Sequence, residues 1–322
     1  MAEVSGAVVF RPYRPGDDAA INDGFNAVFG LQRPLDEWAW KFSGGPEGRW
    51  IYLAEDGAGQ LLAHYGAAPV RFRLGAVTVR AGQPVDVYSV PEARRSGVFT
   101  RCYEEFIRAY GNPDDLPLMF GFPGGVHYEM GLKLLRYVAL RSVPVWRRPA
   151  RFGWPALFRR PAVTLGFDPA ASDALWARAA PRYPFAAVRN AAWLRRRYDG
   201  RPGVEYVHLY VRPGAAATAW AVVRLRQDVV DVADLVWDGG DPADLAALDR
   251  ALVAFARRAG AGQLEMWLGG DPQAADAMAA RGWVRQPDRS DFGMVARAFH
   301  PEIDLAEVGR RVYLTMGDSD LV

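Results

Sequence analysis

The sequence predicts an α/β chain made of two similar halves, on three observations: its length with its apolar content, an internal repeat, and one order of strands and helices read twice. Half of the 322 residues are apolar, more than a single core usually absorbs, so two compact domains are expected. The repeat compares WAWKFSGGPEGRWIYLAEDG (38–57) with LRRRYDGRPGVEYVHLYVRPG (194–214), where Phe42 and Tyr198, Pro46 and Pro202, Trp50 and Tyr206 each lie 156 positions apart. Further on, PVDVYSV (84–90) corresponds to VVDVADLVW (229–237). Each is followed by a helical stretch (99–109; 244–259), an apolar strand (LPLMFGF; QLEMWL) and a second helical stretch (126–135; 273–281). Strand, helix, strand, helix, strand in both halves reads as duplication, with domains expected at 1–148 and 149–322.

Charge and composition exclude several classes of function. The 39 basic and 37 acidic residues leave a formal charge of +2, so no field draws the whole chain to nucleic acid. Cys102 is the only cysteine, which excludes an internal disulfide, and four scattered histidines show no metal-ligand spacing. Lys41 and Lys133 are the only lysines and neither lies in a GxxxxGK[ST] loop, so no P-loop is present. No apolar run approaches the roughly 18 residues of a membrane span, and MAEVSGAVVF lacks the order of a signal peptide, so a cytoplasmic protein is expected. The stretch LRSVPVWRRPARFGWPALFRRPAVTLGF (140–167) is too rich in proline for a long helix. It reads as a strand and an extended connector whose arginines face water, or as a basic strip.

The stretch with the clearest chemical content is VPEARRSGVFTRCYEEF (90–106). The preceding alternation of apolar and polar residues is a strand that Pro91 must end, because proline cannot donate to a ladder. From Val98 the apolar positions 98, 102, 106 and 110 recur every four residues, a helical spacing. The loop therefore feeds a helix N-terminus, where unpaired N–H groups and the macrodipole favour an anion. Gly97 allows close approach, and Arg94, Arg95 and Arg101 add positive charge, which suits a pyrophosphate.

The spacing Val90-Pro91-x-x-Arg94-x-x-Gly97-x-Phe99 resembles the coenzyme A pyrophosphate loop of the GNAT N-acetyltransferases, V-x-P-x-x-[RQ]-x-x-G-x-[GA], with Phe99 as its departure. RPYRPGDDAAINDGFNAVF (11–29) resembles the first strand and helix of that fold, and AMAARGW (277–283) the end of its last helix. Both halves thus resemble GNAT units, in an arrangement similar to the tandem enzymes of the Eis and mycothiol-synthase groups, though without room for the extra sterol-carrier-like domain of an Eis enzyme. The resemblance implies two mixed, mostly antiparallel sheets flanked by helices. It also implies acetyl-coenzyme A as cosubstrate, bound by Ser89, Val90, Arg94, Arg95, Ser96, Gly97, Val98, Phe99 and Thr100. In the second half Asp238, Asp241 and Asp244 stand where the loop would be, so coenzyme A is expected only in the first.

The implied reaction is transfer of an acetyl group to a small amine in a cleft between the halves, without metal and without nucleic acid. A backbone N–H at Val90 or a neighbour would polarise the thioester. The acid that protonates the departing thiolate is sought in Tyr128, which resembles the tyrosine of the GNAT Y-x-x-x-G-F region, or in Tyr137 or His127. Candidate bases are Asp86, Ser89, Glu129, and in a tail folded back into the cleft Asp318, Asp320 or the carboxylate of Val322. Two other readings stay open: an aminoacyl transferase of the FemABX type, whose RNA binding would be salt-dependent, and a coenzyme A-sensing module without chemistry. Oligomeric state is equally open.

Overall fold

The computed structural model describes residues 7–42, 50–150, 163–290 and 292–320. In the first half lie β1 (Val9–Pro12), α1 (Asp18–Phe29), α2 (Leu35–Phe42), β2 (Trp50–Glu55), β3 (Leu61–Leu74), β4 (Val77–Ser89), α3 (Val98–Tyr110), β5 (Leu118–Gly121), α4 (Gly125–Leu134) and β6 (Val138–Ser142). The second half continues with β7 (Val145–Pro149), β8 (Val163–Leu165), α5 (Pro169–Ala179), β9 (Phe185–Ala187), α6 (Ala191–Leu194), β10 (Val207–Val211), β11 (Ala219–Arg226) and β12 (Val229–Trp237). It ends with α7 (Pro242–Arg258), β13 (Gln263–Trp267), α8 (Pro272–Ala279), β14 (Val284–Arg285), β15 (Gly293–Ala298) and α9 (Leu305–Arg311). The four helices expected after the paired strands are α3, α4, α7 and α8, each within two residues of the expected ends.

Two compact units emerge, one gathering residues 1–72, 78–141 and 291–306, the other 73–77, 142–290 and 307–322. The boundary expected at 148/149 falls inside β7. In the first unit the sheet runs β1-β2-β3-β4-β5-β15-β6, and in the second β14-β7-β13-β12-β11-β10-β8. Both sheets are mixed. Antiparallel pairs dominate, while β4 with β5 and β12 with β13 are parallel. β15, near the C-terminus, enters the first sheet antiparallel to β5, Ala296 opposite Phe120. β7, which follows the first unit in the chain, takes the same place in the second sheet, antiparallel to β13, with Met266 opposite Trp146.

Each unit has its own core. In the first, Trp50, Tyr65, Tyr103, Phe106 and Met119 are buried where α3 packs on the sheet, and Ile21, Trp38, Phe42, Ile51 and Leu53 form a second cluster with α1 and α2. Helix α3 packs this way because Val98, Cys102 and Phe106, four apart, share one buried face. At Cys102 burial pushes the thiol up to about 12, so it is an inert core residue. Among the described residues no helix is long and apolar enough to cross a membrane.

Candidate active site

The end of β4 and the start of α3 form a loop whose polar groups point outward. Val90 N–H donates to Leu62 O at 3.0 Å, keeping the strand on β3 up to its last residue. That bond removes Val90 as the N–H expected to polarise a thioester. The strand's two-residue alternation turns the neighbouring Ser89 N–H to the opposite edge. Pro91 then opens a single 3-10 turn, Pro91–Ala93, with Ala93 N–H on Val90 O. Arg95 and Gly97 both adopt the left-handed conformation, φ 68° and 81°. No atom lies within 4 Å of a Cβ built on Gly97, so its glycine is required by backbone conformation and not by space.

This turn leaves donors unpaired. Val98 N–H is taken by Ser96 Oγ at 3.3 Å and Arg101 N–H by Gly97 O at 3.0 Å. Among the described residues the N–H groups of Arg95, Gly97, Phe99 and Thr100 meet no acceptor. Two left-handed residues so close ahead of a helix turn neighbouring N–H groups to one side, an arrangement of the kind that binds anions. The side chains of Arg94 and Arg95 are exposed at its rim, and neither makes an ion pair among the described residues. Arg101, expected beside them, lies over the ring of Phe10 with Cζ 4.8 Å from the centroid. Phe99 is accommodated by turning its ring into the core, 6.1 Å from Tyr65 and 6.2 Å from His127.

Upstream of the loop, β4 leaves β5. The parallel pairing covers Ala81 with Leu118 and Gly82 with Met119. Pro84 then has no N–H to offer, and its Cδ lies 3.6 Å from where a Cβ on Gly121 would stand. Two residues on, Asp86 takes φ 55°, so Val85 and Asp86 are both buried where a regular strand would alternate. Asp86 is no free base: Oδ2 is 2.5 Å from Arg33 Nη1 and Oδ1 2.7 Å from Lys41 Nζ. Burial would raise its carboxyl, but Lys41 and Arg33 outweigh that and hold it below the ordinary carboxylate range, which makes it a weak proton acceptor. The Asp86 carbonyl faces His64 Nδ1 at 2.8 Å. His64 is fully buried, and that burial lowers it to about 4.

The candidate acids lie on and after α4. Tyr128 is half-buried against the core. His127 is lowered by burial. Tyr137 is buried with its hydroxyl on that of Tyr65, and burial pushes it well above the usual tyrosine range. The turn after α4 is made by Arg136 at φ 56° followed by Tyr137, eight residues past Tyr128, so the spacing Y-x-x-x-G-F is not reproduced. Glu129 pairs with Lys133 at 3.0 Å on the exposed side. Of the tail, Val322 lies outside the described residues. Asp318 is buried in the second unit, with Oδ2 2.6 Å from Arg189 Nη2.

In the second unit the corresponding turn satisfies its donors with its own carboxylates. Asp238 Oδ1 accepts from Gly240 N–H at 3.1 Å and Asp241 Oδ1 from Ala243 N–H at 2.8 Å, at the N-terminus of α7. Burial raises the Asp244 carboxyl in the first turn of that helix. Two N–H groups of this turn, at Gly240 and Ala243, are thus occupied by its own carboxylates. Sequence reasoning missed Arg33, Lys41 and His64 as parts of the site. The available signal was the repeat itself, since Arg33 and Arg189, and Lys41 and Arg197, also lie 156 apart. Among the described residues no group of histidine, cysteine or acidic side chains could hold a metal ion.

Comparison with known proteins bears on the fold. Residues 9–131 match the family described as acetyltransferase (GNAT) domain. No curated protein matches the chain by sequence. Among solved structures, a probable N-acyltransferase of Enterococcus faecalis V583 superposes with a TM-score of 0.70 at 14% identity, over 91% of this chain and 72% of its own. A GCN5-related N-acetyltransferase of Anabaena variabilis follows at 0.68 and 11%, over 91% and 73%. The N-myristoyltransferase of Saccharomyces cerevisiae with bound myristoyl-CoA gives 0.61 and 11%, over 98% and 90%. At these identities the likeness is one of fold, and it extends over both units. Residues 9–131 therefore match a GNAT acetyltransferase domain, and the chain has the fold of the GNAT N-acyltransferases.

Proposed function

We propose that the first unit is an acetyl-coenzyme A-dependent N-acetyltransferase acting on a small amine, and that the second is a duplicated unit, as in the tandem GNAT groups, without a donor site of its own. The observation that carries this reading is the set of unpaired N–H groups at Arg95, Gly97, Phe99 and Thr100 beneath Arg94 and Arg95, a cradle fit for a pyrophosphate. The self-capped turn at Asp238 and Asp241 supports confining the donor to the first unit.

Bound there, the thioester supplies an activated acetyl group; the amine nitrogen, entering uncharged, forms the new C–N bond as the C–S bond breaks, and the proton it sheds to water balances the one the departing sulfur takes up. The loop holds the phosphates by backbone N–H groups and two guanidiniums, which places the donor without needing a side chain at Phe99. The oxyanion is assigned to the Ser89 N–H, which strand alternation turns away from β3. Tyr128 is assigned the proton for the departing sulfur. Asp86, committed to two cations, has no part in proton transfer in this reading.

Calorimetry tests it. Acetyl-coenzyme A should bind the wild type saturably, and Gly97→Asp should weaken it by at least about 100-fold, since it opposes the anion with a like charge and forces a side chain into a left-handed turn. Absence of binding to the wild type would end the proposal. A Tyr128→Phe enzyme with full turnover of an amine panel, followed by thiol release, would remove only the acid assignment.

A further inference from the structure

We propose that Arg33 and Lys41 act through Asp86 as positioning residues, holding β4 bent so that it stands away from β5 at the thioester end of the donor site. This rests on the reading of the first unit as an acyl-donor site. The bend needs a restraint: Asp86 at φ 55° is held in the left-handed region, away from the relaxed strand backbone. The restraint is the Asp86 carboxylate between Arg33 Nη1 at 2.5 Å and Lys41 Nζ at 2.7 Å, both cations nine-tenths or more buried.

Arg33 is itself fixed from α1. Its Nε donates to Asn22 Oδ1 at 2.9 Å, its backbone N–H to Asn26 Oδ1 at 2.9 Å, and its carbonyl accepts from the side-chain amides of Asn22 and Asn26. The guanidinium lies over Phe25, Cζ 4.0 Å from the ring centroid. Helices α1 and α2 are thereby tied to one residue of β4, three before Ser89.

The second unit supplies an independent case. Arg189, 156 residues after Arg33, holds Asp234 Oδ1 at 2.9 Å. Asp234 follows the bulge of β12, where the register with β11 shifts, and the parallel pairing of β12 with β13 ends at Val232. An arginine–aspartate pair thus stands at a bend of this strand too, one made by a register shift and not by a left-handed residue, and there the opened strand has an occupant, the chain's own segment 313–319. Tyr313 donates to Leu235 O at 2.6 Å, Thr315 Oγ1 to Asp234 Oδ1 at 2.9 Å, and Leu314 exchanges two backbone bonds with Gly269. Arg197, the counterpart of Lys41, donates from Nε to Gly317 O at 3.0 Å. A clamped bend in this fold receives a guest: its own tail in the second unit, the pantetheine–thioester arm in the first.

The test separates the arm from the phosphates. Titration calorimetry is run with acetyl-coenzyme A and with 3′-phosphoadenosine 5′-diphosphate, which keeps both phosphates of the pyrophosphate but lacks the arm, on wild type, Asp86→Asn, Arg33→Met and Arg33→Lys. The two disruptive variants should bind acetyl-coenzyme A about tenfold more weakly while the arm-free nucleotide changes less than about twofold, and Arg33→Lys should return to within about threefold of wild type. Should Asp86→Asn not fold, Asp86→Gly replaces it, because glycine keeps the left-handed backbone without the carboxylate. Equal weakening of both ligands, or of neither, overturns the positioning role. A wild type that binds neither ligand overturns the donor site itself, and this inference with it.

Discussion

Arg189 Nη2 meets Asp318 Oδ2 at 2.6 Å with both side chains shut off from solvent. The same guanidinium reaches Asp234 and Thr315. Burial and the neighbouring Asp234 raise the Asp318 carboxyl, and Arg189 only partly offsets them. Removing the arginine would strand the buried carboxylates of Asp234 and Asp318 without a cation, so Arg189→Ala should destabilise the chain by about 3–5 kcal/mol. Urea denaturation followed by tryptophan fluorescence measures it. A loss below about 1 kcal/mol would show that the tail is not anchored by this pair.

Stability should depend on pH through His64. A free histidine titrates near 6.5, whereas burial holds this one at about 4. Between those values the unfolded chain takes up a proton that the folded chain refuses. This contribution is therefore complete above the unfolded value and is lost as pH falls toward the folded one, on the order of 3 kcal/mol in all. Denaturation midpoints from pH 7.5 to 4.5 should fall more steeply for wild type than for His64→Gln; parallel curves would contradict it.

Arg95 separates stability from binding. It is exposed, makes no ion pair among the described residues and sits at φ 68°. Arg95→Gly should leave the melting temperature unchanged or raise it, glycine being favoured there by about 1 kcal/mol. The same change removes a charge from the anion cradle, so acetyl-coenzyme A should bind roughly 10-fold more weakly, with a shallower dependence on salt. A drop in melting temperature, or unchanged affinity, would contradict the geometry.

Much of the fold was legible because it is periodic. The spacing of Val98, Cys102 and Phe106 placed α3, and the 156-residue offset paired the halves. The loop was legible because Pro91 and Gly97 encode backbone conformations that the chain must adopt there. What escaped was set by partners remote in sequence. Asp86 reads as one polar position in an alternating strand, and nothing local says that it turns inward to meet Arg33 and Lys41, 53 and 45 residues away. Likewise Val90 looked available as a donor until Leu62 was found opposite it. Arg136 at φ 56° hides a turn that sequence rules reserve for glycine.

The place of β15 constrains how the chain comes into being. The first sheet lacks the strand between β5 and β6 until residues 293–298 exist, so every strand of the second sheet is synthesised before the first sheet can close. Until then β5 has an open edge, with Leu118, Met119 and Phe120 on it, a template for unwanted pairing. A ribosome-bound chain ending before β15 should therefore hold an incomplete first unit. Truncations meant to isolate residues 9–131 would expose that edge rather than yield a smaller folded domain.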